Sequence, residues 1–598
     1  MDIDLDLDTL KIKKPDLKEL FRLFKYLEFK TLLKNLDLRE DNLGKIKVFL
    51  LKDKELKNLI GSADELVLYG QSLNNLIFYI KDKFYELDKI GPSLKAILSN
   101  PNVKKTSHDL KKLKISLAKD NVVLAGLHFD TMIAGYLLKP SKSEYNITDL
   151  AWDYLGEMPS AKSTNNQIIV DWICKVKPIL GKELKDKKLE DLFGDIEMPL
   201  VEVLAEMELN GIKLDLAVLK ELSKETEKRL IKLIEDIYDI GGTQFNINSP
   251  KQLRDILFEK LKLPIIKRTK TGPSTDEGVL RNLATQHELP ALLLEYRQLT
   301  KLKSTYIDTL PQLVDTNTDK VHSCFNQTGT ETGRLSSSNP NLQNIPIKTD
   351  IGKKIRKAII ASCGGNYLLS CDYSQIELRF LAHLSKDENL ISAFKDDKDI
   401  HKTTASLIYG LEEKDITDLM REMAKRVNFG IIYGLTPYGL SRDLEISFDE
   451  AQAFIDAYFA RYARVKEYIQ QQIEKAKNDS FVTTILGRRR YIPEINNKNQ
   501  NIRQFAERQA VNTPIQGSAS DLIKLAMIQI HSQIRKDALK TQMVLQIHDE
   551  LVFDVPGKEM DTLVRLVKDR MENVLKLEVP LKVVIKTGKN WLEMKEVK

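Results

Sequence analysis

A chain of 598 residues, 42% hydrophobic and 30% charged, is too long for one compact domain and apolar enough to bury several cores. Its net charge of +6 does not by itself mark a nucleic-acid partner. Its four cysteines (Cys174, Cys324, Cys363, Cys371) form no C-x-x-C pair, which argues against a zinc module or a disulfide framework and fits a reducing cytosol. No run approaches ~18 consecutive apolar residues, and MDIDLDLDTLKIKKPD lacks the basic-then-apolar order of a signal peptide, so neither a membrane span nor export is expected.

The alternating aspartates at the N-terminus read as an exposed edge or linker, because alternation sends the carboxylates to one solvent side. The first ~190 residues carry short apolar runs such as ELVLYG and NVVLAGLHFDTMIAGYLL, the texture of a mixed α/β unit. From Glu197 to about Leu313 the apolar spacing becomes helical, and Ser249-Pro250 supplies an N-cap and first-turn residue for a further helix. From Val321 a loop-like TGTETGRLSSSNPNLQNIP precedes a strand-like YLLSCDYS, and about Asn389 to Arg461 is mostly helical. TQMVLQIHDELVFDV near the C-terminus reads as two β-runs around a short turn. The long helical insert between the two strand regions suggests one sheet completed from distant parts of the chain. Two basic clusters, Lys353–Lys354–Arg356–Lys357 and Arg488–Arg489–Arg490, could pair with phosphates, but a solvated charged face is the simpler reading of each alone.

Five segments could carry chemistry. Asp372 ends an apolar run, where a carboxylate meets solvent and suits a hard cation; a helix N-cap at Asp372 or Ser374 is the simpler reading of this segment alone. His548, Asp549 and Glu550 cluster at a hairpin tip, where polar residues are routine, and spacing does not establish that Asp549 approaches Asp372. In MREMAKRVNFGIIYG, Arg421, Lys425, Phe429 and Tyr433 recur every four residues along one helix face of about 18 Å. That order of two cations then two rings suits a triphosphate followed by a base and sugar, and an ordinary amphipathic helix is an equal reading. TGRLSSSNPNLQNIP, with Arg334, and RQAVNTPIQGSASDL, with Arg508, Asn512 and Gln516 four apart, offer donors and acceptors for sugars, phosphates and minor-groove edges; a polar surface loop is the plain alternative for the first.

Together, DYSQIELR, R-x-x-x-K-x-x-x-F-x-x-x-Y-G, HDE, TGRLSS…NPNLQNIP and NTPIQGSASDL resemble, in collinear order, the polymerase motifs of family A DNA polymerases. The resemblance implies a mixed α-β, multidomain right-hand polymerase with an N-terminal ribonuclease H-like 3′–5′ exonuclease-type domain. Its expected divisions are 1–196 (exonuclease-like, with a linker), 197–320 (thumb), 321–390 (palm), 391–516 (fingers) and 517–598 (palm again). It implies DNA-templated primer extension by two-metal phosphoryl transfer, with two Mg²⁺ ions, for which Mn²⁺ can substitute. Asp372, Asp549 and the Tyr373 carbonyl match the metal shell, and Glu550 a less essential carboxylate. Gln375, Glu377, His401, Arg421, Lys425, Phe429 and Tyr433 match the nucleotide site. In it, Glu377 blocks a 2′-hydroxyl, His401 stands beside the departing phosphates, and Tyr433 holds the template-base position until the fingers close. Lys301, Ser304, Thr305, Arg334, Asn341, Gln343, Asn344, Arg508, Asn512, Gln516 and His548 match duplex contacts. The partners implied are primer-template DNA and deoxynucleoside triphosphates, for a monomeric, cytoplasmic, nucleoid-associated bacterial-type enzyme without a membrane partner.

The pattern departs from the family in the N-terminal third. ADELVLYGQSL lacks the Asp-x-Glu pair of an active exonuclease strand, and HDLKKL places Leu113 where a metal-binding Asp belongs. Asp130 is retained, but Asp171 has no Tyr four residues before it. The expectation is a vestigial domain without proofreading. The 5′-nuclease domain of longer family members has no counterpart here, which leaves open a naturally short form or an engineered fragment. A catalytically inactive nucleic-acid-binding scaffold is the alternative function, and the presence of Asp372, Asp549, Arg421 and Lys425 together opposes it.

Overall fold

A computed structural model describes residues 46–597, apart from 61–64, 158–164 and 271, together with scattered positions between 15 and 32. The N-terminal aspartate alternation and Asp64 of ADELVLYG lie outside the described residues. The chain divides into two compact units, Met1–Val201 and Glu202–Lys598.

The first unit is built on a six-stranded sheet of β1 (Val48–Leu51), β2 (Glu65–Tyr69), β3 (Ile77–Ile80), β4 (Lys83–Leu87), β5 (Lys104–Ser107) and β6 (Leu127–Asp130), in the order β1-β4-β3-β2-β5-β6. β3 runs antiparallel to β2 and β4, and the other pairings are parallel. The apolar run Leu66–Val67–Leu68 is buried throughout, as a strand covered on both faces must be. Three helices bear on the exonuclease-like motifs: α1 (Leu110–Lys119), α2 (Thr131–Leu138) and α3 (Asn166–Asp186). α3 buries Ile169, Val170, Ile173, Val176, Leu180 and Leu184, an i, i+3/i+4 stripe that packs on β2 and β3.

In the second unit, α4 (Leu216–Gly241) starts at the Asp215 cap and stops where Gly242 turns left-handed. Its Leu230, Leu233 and Ile237 share a core with Leu289, Leu293 and Tyr296 of α5 (Glu288–Leu302). Ser249 caps the short helix between them, with Pro250 in its first turn. The central sheet consists of β7 (Asn366–Tyr373), β8 (Gln542–Ile547), β9 (Glu550–Pro556), β10 (Val583–Gly588) and β11 (Lys595–Glu596), in the order β8-β9-β7-β10-β11 and antiparallel throughout. β7 is therefore completed on both sides by strands from the C-terminal end of the chain, across a mainly helical insert.

That insert contains α6 (Ile376–Ser385), α7 (Ile400–Tyr409), α8 (Asp418–Ile432) and most of α9 (Gln500–Lys536). α9 runs unbroken for 37 residues with Pro514 inside it. The hydroxyls of Thr513 and Ser518 donate to the Gln509 and Pro514 carbonyls one turn back on either side of the proline. The division expected at 516/517 falls within this helix, and the division expected at 196/197 lies a few residues before the break between the two units.

The Arg488–Arg490 cluster is not a solvated charged face, whereas Lys353, Lys354 and Lys357 stay substantially exposed, as that reading expects. Arg488 is buried against Asp521, and Arg490 pairs with Glu331. Lys354 and Lys357 pair with Glu225 and Glu593, while the Arg356 guanidinium lies 3.7 Å from the centre of the Trp591 ring.

Candidate active site

Strand register brings the two aspartates together. β7 pairs with β9 so that Asp372 stands opposite Glu550, and the Tyr373 amide donates to the Asp549 carbonyl at 3.2 Å. His548 and Asp549 are the two-residue turn between β8 and β9, and His548 takes the left-handed conformation (φ 51°) that such a tight turn demands. Asp372 opens into the cavity, yet the surrounding protein pushes its carboxyl up to about 6, helped by the Glu550 charge. Burial likewise pushes Asp549 up to about 7, with Arg334 opposing the shift and Glu377 and Asp372 adding to it. Two carboxylates disfavoured as anions at one strand end fit a divalent cation, whose charge would stabilise both and whose preferred donors are such oxygens. Glu550 is held differently: its carboxylate accepts from Ser370 Oγ at 2.5 Å and Trp591 Nε1 at 3.0 Å, and it does not line the cavity.

The opposite wall is helical. α8 starts at a Thr417 cap and buries Ala424, Val427, Asn428, Ile431 and Ile432, leaving the face at four-residue spacing turned outward. Arg421, Lys425, Phe429 and Tyr433 of that face line one cavity of about 490 Å³ with Asp372, Tyr373, Gln375, Glu377, His401, Arg334, His548 and Asp549. Phe429 and Tyr433 are stacked at 6.3 Å with an interplanar angle of 18°, and the His401 ring lies 6.0 Å from Phe429. Burial pulls the His401 imidazole down to about 4, so it is neutral at pH 7.

The floor of the cavity is a polar network. Arg334 Nη2 donates to Glu377 Oε1 at 2.5 Å and the Tyr433 hydroxyl to Glu377 Oε2 at 2.8 Å. Arg334 owes its position to Gly333 (φ +87°), where an added Cβ would meet Arg488 Nε at 2.5 Å. The Gly333 carbonyl accepts from Ser520 Oγ, and Arg488 is anchored beneath by Asp521. The Gln375 side-chain oxygen is buried without a partner among the described residues, as is that of Asn512 on α9.

A second cavity, of about 940 Å³, gathers Lys301 from the end of α5 and Thr305 from the helical turn after it with Asn341, Gln343, Asn344 and His548. Gln343 Nε2 donates to Gln546 at 3.1 Å, and Asn341 caps its own short helix. Ser304, Arg508, Asn512 and Gln516 line neither cavity. Ser304 donates to the Lys301 carbonyl, and Arg508 packs against Gly434.

The sequence motifs did not single out several contributors. Asp399 caps α7 through the His401 and Lys402 amides and accepts from Arg421 Nε at 2.7 Å, so one carboxylate holds two cavity groups. Its N-cap position just ahead of a helical run was the available signal. Arg281 and Arg297 of the second cavity carried none, because they come from separate elements, whereas Arg356 belonged to a basic cluster already noted in the sequence.

Residues 216–593 match DNA polymerase family A, and residues 65–158 match the ribonuclease H-like domain of DNA polymerase I. DNA polymerase I of Caldicellulosiruptor bescii is 41% identical, over 99% of this chain and 71% of that protein. DNA polymerase I of Bacillus subtilis is 39% identical over the same shares. The polymerase domain of Pol1 from M. smegmatis, solved with DNA primer-template and a dNTP, superposes with a TM-score of 0.84 at 37% identity, covering 88% of this chain and 95% of that one. The chain belongs to DNA polymerase family A. It is a DNA-directed DNA polymerase, a mixed α/β protein with a ribonuclease H-like exonuclease domain ahead of the polymerase domain, and its family uses divalent metal ions.

Proposed function

We propose that this polymerase extends a primer 3′ end with deoxynucleotides on a DNA template, using Asp372, Asp549 and the Tyr373 carbonyl to hold two Mg²⁺ ions or Mn²⁺ in their place. The observation that carries this reading is the convergence of the β7 and β8–β9 strand ends with the cation-and-ring face of α8 around one cavity. When bound, the ions supply the Lewis-acid charge that activates the primer hydroxyl and stabilises the α-phosphate and departing pyrophosphate. Arg421 and Lys425 bind the triphosphate, and His401 donates to it. Phe429 packs on the sugar and base, and Glu377, braced by Arg334 and Tyr433, closes the space beside the sugar 2′ position. The residues of the larger cavity, with Ser304, Arg508, Asn512 and Gln516, follow the primer-template duplex. In this reading 197–320 is the thumb, 321–390 and 517–598 the palm, and 391–516 the fingers. Glu550 supports the site from behind, through its influence on Asp372.

The first unit carries no proofreading in this reading, because Asp130, Glu65 and Asp171, described carboxylates at its motif segments, are already committed. Asp130 accepts from the Asp109, Leu110 and Met132 amides, Glu65 is bound by Lys177 and Thr106, and Asp171 pairs with Lys175 at 2.7 Å. Leu113 is buried in α1. Primer extension tests the polymerase assignment. With Mg²⁺ the chain extends a recessed 3′ end, while Asp372→Ala and Asp549→Ala abolish extension and retain duplex binding; loss of binding together with extension would instead make the two aspartates structural.

A further inference from the structure

Asn428 faces the core side of α8 and is wholly buried, next to residues that line the cavity. A buried amide destabilises a fold unless both its ends are bonded. Here both ends are: Nδ2 is 3.0 Å from His401 Nδ1, and Oδ1 accepts from Thr404 Oγ1 at 3.1 Å. The Thr404 hydroxyl is in turn hydrogen-bonded to Tyr462. Tyr462, Thr404 and His401 are all buried, at 1%, 0% and 2% exposure, so water does not compete for these bonds.

We propose that Asn428 is a positioning residue that holds His401 as the imidazole with its proton on Nε2, presented to the phosphates of the incoming nucleotide. This rests on the reading of His401 as a phosphate contact. A neutral imidazole has one donor nitrogen and one acceptor nitrogen, and which is which follows from the partner of the other. The Thr404 hydroxyl donates to Asn428 Oδ1, which turns the amide NH₂ toward His401 Nδ1 and makes that nitrogen the acceptor. The remaining proton sits on Nε2. The opposite tautomer would aim a lone pair at phosphate oxygens, replacing an attraction with a repulsion. The charged groups around the ring (Asp399, Arg421, Lys425 and Glu422) are of both signs, and burial outweighs them in keeping the ring neutral.

The test uses the full-length chain labelled with ¹⁵N-histidine, with the His401 signal assigned through His401→Gln. The wild-type spectrum is expected to show a neutral ring protonated at Nε2, and protonation at Nδ1 would overturn the proposal. In Asn428→Asp the carboxylate has no donor for Nδ1, so a proton moves there. Nucleotide KM should then rise about tenfold, the loss expected when one hydrogen bond to a charged group goes, with duplex affinity unchanged. In the His401→Gln background Asn428→Asp should add nothing, and an equal loss in that background would show that Asn428 acts on the fold instead. If Asn428→Asp does not fold, Thr404→Val provides the same readouts: it frees the amide to rotate and should give a mixture of tautomers, and a ring still wholly protonated at Nε2 would overturn the orienting chain. His401→Gln with unchanged nucleotide KM would remove His401 as a phosphate contact, while the tautomer assignment is decided by the spectrum alone.

Discussion

The Glu377 carboxylate is 5% exposed and receives one hydrogen bond from Arg334 and another from Tyr433, so it is a rigid part of the cavity wall. A rigid wall discriminates by size. Glu377→Ala should therefore raise ribonucleotide insertion relative to deoxynucleotide insertion by roughly tenfold to a hundredfold in single-nucleotide assays, the range a small change in pocket volume produces. Unchanged sugar selectivity would place the 2′ position elsewhere. Asp130 provides a test of a different kind. Burial, aided by the Asp109 charge, pushes its carboxyl up from the ordinary 3.8 to about 7, against the pull of three backbone amides. The folded chain thus keeps a proton that the unfolded chain releases over this range. The stability due to this group is fully present below about pH 4 and is lost as the pH rises to about 7. Thermal unfolding followed from pH 4 to pH 8 should show this decline, and Asp130→Asn should flatten it; an identical slope in the two proteins would assign the decline to other groups.

At the scale of elements, the loop that aims Arg334 is held from below by β- and α-segments far along the chain. Arg488 Nε and Asp521 Oδ1 are 2.8 Å apart, both are buried, and Thr484 Oγ1 donates to the other Asp521 oxygen at 2.6 Å. Removing one partner of a buried pair leaves an uncompensated charge and costs about 3–5 kcal/mol. Asp521→Ala should lower the unfolding midpoint accordingly and weaken primer extension through Arg334. An unfolding free energy within about 0.5 kcal/mol of wild type, the scatter of ordinary surface substitutions, would mean that Arg488 finds water or another anion. How legible each element was depended on the range of the interactions behind it. The α8 face could be read because its four-residue period is a property of one helix, and the Ser249 cap could be read from the proline that follows it. The support beneath Gly333 could not, because Thr484, Arg488, Ser520 and Asp521 belong to segments whose meeting no local pattern announces. Arg488 even read as part of a solvated basic run, although it is buried.

For the whole molecule, the distribution of carboxylates predicts an asymmetry of function between the two units. The polymerase cavity exposes its aspartates to ligand, whereas Asp130, Glu65 and Asp171 of the first unit are engaged by backbone amides and lysines. A primer with a mismatched 3′ end should persist untrimmed when incubated with the full chain and Mg²⁺ or Mn²⁺ in the absence of nucleotides. Shortened primer, absent from an Asp130→Asn control, would reinstate a working exonuclease.

Local rules of the chain were enough to mark the mixed α/β texture of the first unit, the helical stretches of the second, the β8–β9 hairpin and the cation-and-ring face of α8, since each depends on residues within a few positions of one another. The order of the motifs then identified the family. Only the tertiary structure decided that Asp372 stands opposite Glu550 beside the Asp549 turn, that Arg488 is an internal ion pair while Arg356 stacks on Trp591, and that Glu550 turns toward Ser370 and Trp591. The reason lies in the sheet order β8-β9-β7-β10-β11. β7 finds its partners across a long helical insert, and that pairing is selected by the burial and hydrogen bonding of the whole sheet, to which no short stretch of sequence is privy.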